Sequence, residues 1–219
     1  MSNHIEKYMT WWLEQERLRK SNKIPVKITL AGIKLSVIPQ AFLPSPLQTH
    51  STPLLIKKIN YHNFVGKKVL DIGTGSGVLA IYSALKGASL IIATDIDDHI
   101  LHHARHNAYL NQITDIHFIN SNLFESVKGQ YDYIFANGPI SPEAWSKESL
   151  SGHTISSYGE MLFSQYRHYL ADKGLMFMTF AEFGPVEAFY KTLQKYSVMH
   201  KEKREEKFGI WWSFHEISK

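Results

Sequence analysis

Val69-Leu70-Asp71-Ile72-Gly73-Thr74-Gly75-Ser76-Gly77 decides how this chain is read. An apolar run leads into three alternating glycines, and a helical pattern follows from Val78. Glycine lets the backbone turn tightly and approach a ligand with no Cβ in the way. The helix that follows adds unpaired N–H groups at its start. A glycine-rich loop carries functional meaning in this strand-to-helix setting.

Working outward, strands and helices alternate. Strand patterns cover residues 68–72, 90–94, 116–120, 131–136 and 175–180. Helical patterns cover 78–86, 98–111, 158–170 and 185–195. This rhythm predicts an α/β fold: a doubly wound, mostly parallel, seven-stranded sheet. Two final strands, 196–200 and 208–217, have only the charged stretch 201–207 between them, read as a turn. They predict an antiparallel C-terminal edge.

Upstream, Ile5, Tyr8, Met9, Trp12 and Leu13 fall on one face of an N-terminal helix. Val26, Ile28 and Leu30, then Ile33, Leu35 and Val37, alternate around Ala31-Gly32 as a β-hairpin. A proline-marked connector runs from Pro39 to Thr52. The expected division is 1–53 for helix, hairpin and connector, and 54–219 for the main domain.

The chain has 219 residues, a formal charge of +4 and no cysteine. That length supports one full core. Without cysteine there are no disulfides, no thiolate metal sites and no cysteine nucleophile. No apolar stretch is long enough to cross a bilayer, and the N-terminus lacks the apolar region of a secretion signal. A cytoplasmic protein with no membrane partner is expected.

The ligand follows from the loop and its flanks. A dinucleotide loop wants a third glycine one position later, where this chain has Val78. Asp71, two residues before Gly73, would repel a pyrophosphate but could face an ammonium group. S-adenosylmethionine carries an ammonium, a carboxylate and a sulfonium, and no phosphate. Asp95 ends the next strand, where it can accept hydrogen bonds from ribose hydroxyls. Ile96 beside it would pack on adenine, and Asn122, followed by Leu123, would bond the adenine amino group. Each feature alone suits a tight turn or a helix cap; together, in one alternating segment, they point to a cofactor.

Residues 67–140 resemble the core of the class I S-adenosylmethionine-dependent methyltransferases, a Rossmann-like fold. Leu70 to Gly77 resembles their first motif, Asp95 the second and Asn122 the third. Gly75-Ser76-Gly77-Val78-Leu79-Ala80-Ile81 and Lys86-Gly87-Ala88 resemble the ribosomal-protein lysine methyltransferase branch. So does Thr49-His50-Ser51-Thr52, which in that branch lies over the cofactor. The hairpin and Phe42…Pro44 resemble the release-factor glutamine methyltransferases.

The resemblance implies a cofactor site of Thr49, Thr52, Asp71, Gly73, Thr74, Gly75, Gly77, Asp95, Ile96, Asn122, Leu123 and Asn137. It also implies catalysis at Asn137 and Pro139, within Ala136-Asn137-Gly138-Pro139-Ile140. In the amino-group methyltransferases an Asn-Pro-Pro-Tyr motif accepts hydrogen bonds from the target nitrogen and stacks an aromatic on a planar substrate. Here Gly138 stands for the first proline and Ile140 for the aromatic, so that stacking surface is missing.

The acceptor is expected to be a protein side chain, with RNA or a small-molecule amine as the alternatives. A catalytically silent nucleotide-binding module is the alternative of another class. Residues 141–157 read as a long insertion over the acceptor site. No metal is expected. His99, His102, His103 and His106 share a helix, but Ile100, Leu101, Ala104 and Ala108 supply its buried face.

Overall fold

The computed structural model describes residues 3–21, 24–140 and 155–219. The expected insertion lies largely outside the described residues. The chain opens with α1 (Asn3–Ser21), the hairpin β1 (Val26–Leu30) and β2 (Ile33–Val37), and α2 (Ser51–Ile59). The main unit follows as β3 (Lys68–Ile72), α3 (Val78–Leu85), β4 (Leu90–Asp95), α4 (Asp98–Leu110), β5 (Ile116–Asn120) and β6 (Tyr131–Phe135). It ends with α5 (Ile155–Tyr169), β7 (Leu170–Ala181), α6 (Val186–Lys195), β8 (His200–Lys207) and β9 (Ile210–Ile217).

Seven strands form one sheet in the order β5-β4-β3-β6-β7-β9-β8. The strands β5, β4, β3, β6 and β7 pair in parallel, whereas β9 pairs antiparallel with both β7 and β8. This is the doubly wound sheet with an antiparallel edge expected from the sequence. Chain order reverses at β3, which has β4 on one side and β6 on the other. Connections leaving β3 and β6 diverge there, opening a crevice beyond their carboxyl ends. Among the described residues, no helix is long and apolar enough to cross a membrane.

Two expectations at the C-terminus are corrected. Residues 201–207 are not a turn but most of β8, and 196–200 is not a strand, because Tyr196 caps α6. The turn is Phe208-Gly209, both with positive φ. A strand of sequence HKEKREEK hides its pattern because it is the sheet edge, where charge discourages pairing with another chain. The helix α2 was not expected; its first turn holds Pro53, which is tolerated there because that N–H has no intrahelical partner.

The hairpin is docked by an unusual ladder. The backbone N–H groups of Lys34, Ser36 and Ile38 donate to Asn111 Oδ1 (2.9 Å), Asn107 Oδ1 (2.9 Å) and His103 Nε2 (3.4 Å). Four helical residues rise about 6 Å, and two strand residues rise about 6.6 Å. The two spacings match, so one stripe of α4 pairs with β2 as a neighbouring strand would. His103 is therefore buried at 7% exposure, an exception to the expectation that the histidines of this helix fall largely on its outer face.

At the other end, α1 is held by a buried ion pair. Arg19 bonds Glu16 through Nε (3.0 Å) and Nη2 (2.6 Å) and donates to the carbonyls of Ile38 and Ala41, both at 3.0 Å. Removing one member of such a pair leaves the other charge buried alone. Arg19→Met is expected to lower unfolding stability by about 3 kcal/mol. Glu16→Gln added to Arg19→Met should recover part of that loss. Urea midpoints of the three proteins measure this.

Candidate functional site

The carboxyl ends of β3 and β4 bring two acids together. Asp71 is 1% exposed and accepts a 2.6 Å hydrogen bond from Thr74 Oγ1. Asp95 Oδ2 accepts from the Gly75 N–H at 3.0 Å, and Oδ1 from the Asp97 N–H at 3.3 Å. The Thr74 N–H crosses to the Thr94 carbonyl at 2.8 Å, pinning the loop to β4. Burial pushes the Asp71 carboxyl up to about 7, and burial raises Asp95 as well. A cation arriving here would relieve that cost.

The glycine loop leaves its outer side open. A Cβ at Gly73 would meet nothing within 4 Å. Gly77 serves packing instead: its φ is +81°, and a Cβ there would lie 3.1 Å from Ala104 Cβ on α4. The loop is also tied to the hairpin, since Asn107 Nδ2 donates to the Ser76 carbonyl at 2.9 Å.

Asn137 follows β6 across the crevice. Its Oδ1 accepts a 2.6 Å bond from Thr179 Oγ1, and its Nδ2 lies 3.2 Å from Thr52 Oγ1. Three elements therefore fix the amide: β6, β7 and the first turn of α2. One lone pair on Oδ1 remains for a further donor.

Gly138 faces Tyr158 of α5. A Cβ at Gly138 would lie 2.4 Å from Tyr158 Cζ and 2.5 Å from its hydroxyl oxygen. Only glycine fits beneath this ring. The hydroxyl is buried, makes no hydrogen bond of normal geometry and feels the Asp71 charge; burial drives its pKa well above the ordinary value. An aromatic ring thus stands beside the Asn137 motif although Ile140 has replaced the motif's own, and Ile140 is itself core at 9% exposure.

The remaining expected residues are spread along the crevice rim. Thr49 and Thr52 are both 3% exposed; Thr49 Oγ1 lies 3.4 Å from Ser51 Oγ, and only Thr52 touches Asn137. Ile96 is 43% exposed beside Asp95. Asn122 bonds Glu125 at 3.0 Å, and Leu123 is buried with a φ of 50°. Thr179 and Tyr158 were not singled out from sequence. Neither sits in a motif, and both reach the site through tertiary packing.

The Asp71 environment gives a pH signature. The folded-state pKa of about 7 lies above the ordinary value of 3.8. Its contribution to stability is thus full below pH 3.8 and is lost as pH rises to 7. The slope is at most about 1.4 kcal/mol per pH unit. Asp71→Asn should flatten the stability of the ligand-free protein across that window, measured by urea unfolding at several pH values.

Comparison with known proteins finds relatives over the core of the chain. Residues 48–140 match the family described as ribosomal protein L11 methyltransferase (PrmA). A Methanocaldococcus jannaschii protein named as a protein N5-glutamine methyltransferase is 38% identical over 115 residues, 52% of this chain and 55% of that protein. The ribosomal protein L11 methyltransferase of Bacillus subtilis is 35% identical over 117 residues, 50% of this chain and 38% of that protein. This chain therefore spans about half the length, or less, of these curated relatives. The crystal structure of ribosomal protein L11 methylase from Lactobacillus delbrueckii subsp. bulgaricus superposes with a TM-score of 0.61 at 28% identity, covering 77% of this chain and 78% of that one. The chain carries the class I S-adenosylmethionine-dependent methyltransferase fold, and over its core it is similar to the ribosomal protein L11 methyltransferases and a protein N5-glutamine methyltransferase.

Proposed function

We propose that this chain uses S-adenosylmethionine to methylate a nitrogen of a protein side chain. The observation that carries the reading is the doubly anchored Asn137 amide, across the crevice from the acids of the glycine loop. The residues fit the cofactor's chemistry. Asp71 offers a buried carboxylate to an ammonium, Asp95 offers hydrogen-bond acceptance to ribose hydroxyls, and the side of the loop at Gly73 is open to close approach. Thr49, Thr52, Thr74, Gly75, Ile96, Asn122 and Leu123 complete the proposed site, and Gly77 seats the loop against α4.

When bound, the cofactor supplies an electrophilic methyl group on a good leaving group. The chain's own work is to place the acceptor. Asn137 Oδ1, held by Thr179, uses its free lone pair to receive an N–H of the target. That fixes the nitrogen lone pair's direction and stabilises the positive charge developing on nitrogen. The Gly138 carbonyl, next along the chain, would take a second such bond. Pro139 stiffens the turn behind it. A target that arrives as a neutral amine needs no strong base.

The protein acceptor is favoured over RNA or a small molecule because the relatives matching this core are named for a ribosomal protein and a protein glutamine. Tritiated methyl transfer over a cell extract, fractionated into protein, RNA and small molecules, tests it. Label is expected in protein. Asn137→Ala should reduce it by about 100-fold or more, as for loss of a charge-stabilising donor or acceptor. Thr179→Val, which frees the amide, should cost about tenfold. Label confined to RNA or small molecules would overturn the acceptor assignment. Cofactor binding with no label in any fraction would favour the silent module.

A further inference from the structure

Far from the glycine loop, the C-terminal ribbon gathers three ligating side chains. Glu202 of β8 stands opposite His215 of β9, and His200 lies two residues along β8 on the same face. One donor atom from each of the three lies within 4.8 Å of the others. Such a set of two imidazoles and one carboxylate suits the zinc class of ions.

The hydrogen bonds assign the lone pair of each imidazole to one ring nitrogen. His215 is fully buried, and its Nε2 lies 2.9 Å from Ser213 Oγ. The Ser213 hydroxyl donates its own hydrogen to the Phe180 carbonyl at 3.4 Å, so its oxygen receives Nε2–H. The lone pair of the ring is then on Nδ1, which is buried and has no hydrogen-bond partner.

In His200, Nδ1 faces the Val198 carbonyl at 3.4 Å, which places the proton there and the lone pair on Nε2. Metal-bound histidines characteristically donate their second N–H to a carbonyl in this way. Glu202 Oε1 accepts from Tyr190 (2.9 Å) and from Arg204, and Oε2 keeps its ligating capacity. The Arg204 side chain is 58% exposed and can turn out to solvent when an ion enters.

We propose that His200, Glu202 and His215 form a binding site for a divalent transition-metal ion, which clamps β8 to β9 at the sheet edge. This set differs from the histidines His99, His102 and His106 of α4 in offering a carboxylate with its imidazoles. It is also independent of the methyl-transfer reading.

The test titrates chelator-dialysed protein with Zn²⁺ by calorimetry, with bound metal counted by elemental analysis. One Zn²⁺ per chain is expected, with a rise in Tm. His200→Asn and Glu202→Gln should each weaken binding about tenfold or more, with Tm of the metal-free protein confirming that both variants fold. The triple variant His99→Asn/His102→Asn/His106→Asn should bind as the parent does. Co²⁺ in place of Zn²⁺ should give a visible d–d band that Glu202→Gln alters. No stoichiometric Zn²⁺, binding unchanged in His200→Asn and Glu202→Gln, or binding lost with the α4 triple variant would each overturn the proposal.

Discussion

The Asp71 carboxyl, buried at the end of the central strand β3, is the constraint around which this molecule is arranged. A carboxylate there carries a desolvation cost, and burial raises the Asp95 carboxyl on the neighbouring strand as well. Folds retain such groups where a function uses them. The surrounding loop partly offsets the cost: Thr74 donates to Asp71 and the Gly75 amide to Asp95. What remains is a pair of acids short of positive charge at a crevice, an arrangement suited to an ammonium-bearing ligand.

The two walls of that crevice are held by different devices. On one side, the stripe His103, Asn107 and Asn111 of α4 pairs with the backbone of the hairpin, and Asn107 also reaches the Ser76 carbonyl. The hairpin and the glycine loop are thus fastened to one buried asparagine. On the other side, Asn137 joins β6, β7 and α2 through two threonines, while Tyr158 closes over Gly138. A change in either packing unit would be felt at the site without touching its motif residues.

The fold was legible wherever one face of an element is apolar. The hairpin, the parallel strands and the helices α1, α3, α4 and α6 all show their period in sequence. The strand β8 did not, because an exposed edge selects charge, and its residues 201–207 read as a solvated turn. At the site, the glycines and acids were readable because backbone conformation and burial demand those residue types at that spacing. Thr179 and Tyr158 were not, since nothing local marks a residue whose role comes from a strand or helix packed against it. Gly138 shows the difference well: in sequence it is a departure from a motif, and in the structure it is the space that the Tyr158 ring requires.

Calorimetry of S-adenosylmethionine binding at pH 6, in buffers of differing ionisation enthalpy, tests the role of Asp71 most directly. With a ligand-free pKa of about 7, Asp71 is largely protonated at that pH and must ionise to face an ammonium. Binding should therefore release a proton, and Asp71→Asn should abolish that release while weakening affinity. Binding with no proton release, or a release unchanged in Asp71→Asn, would contradict the assignment of this carboxyl to the cofactor's cationic end.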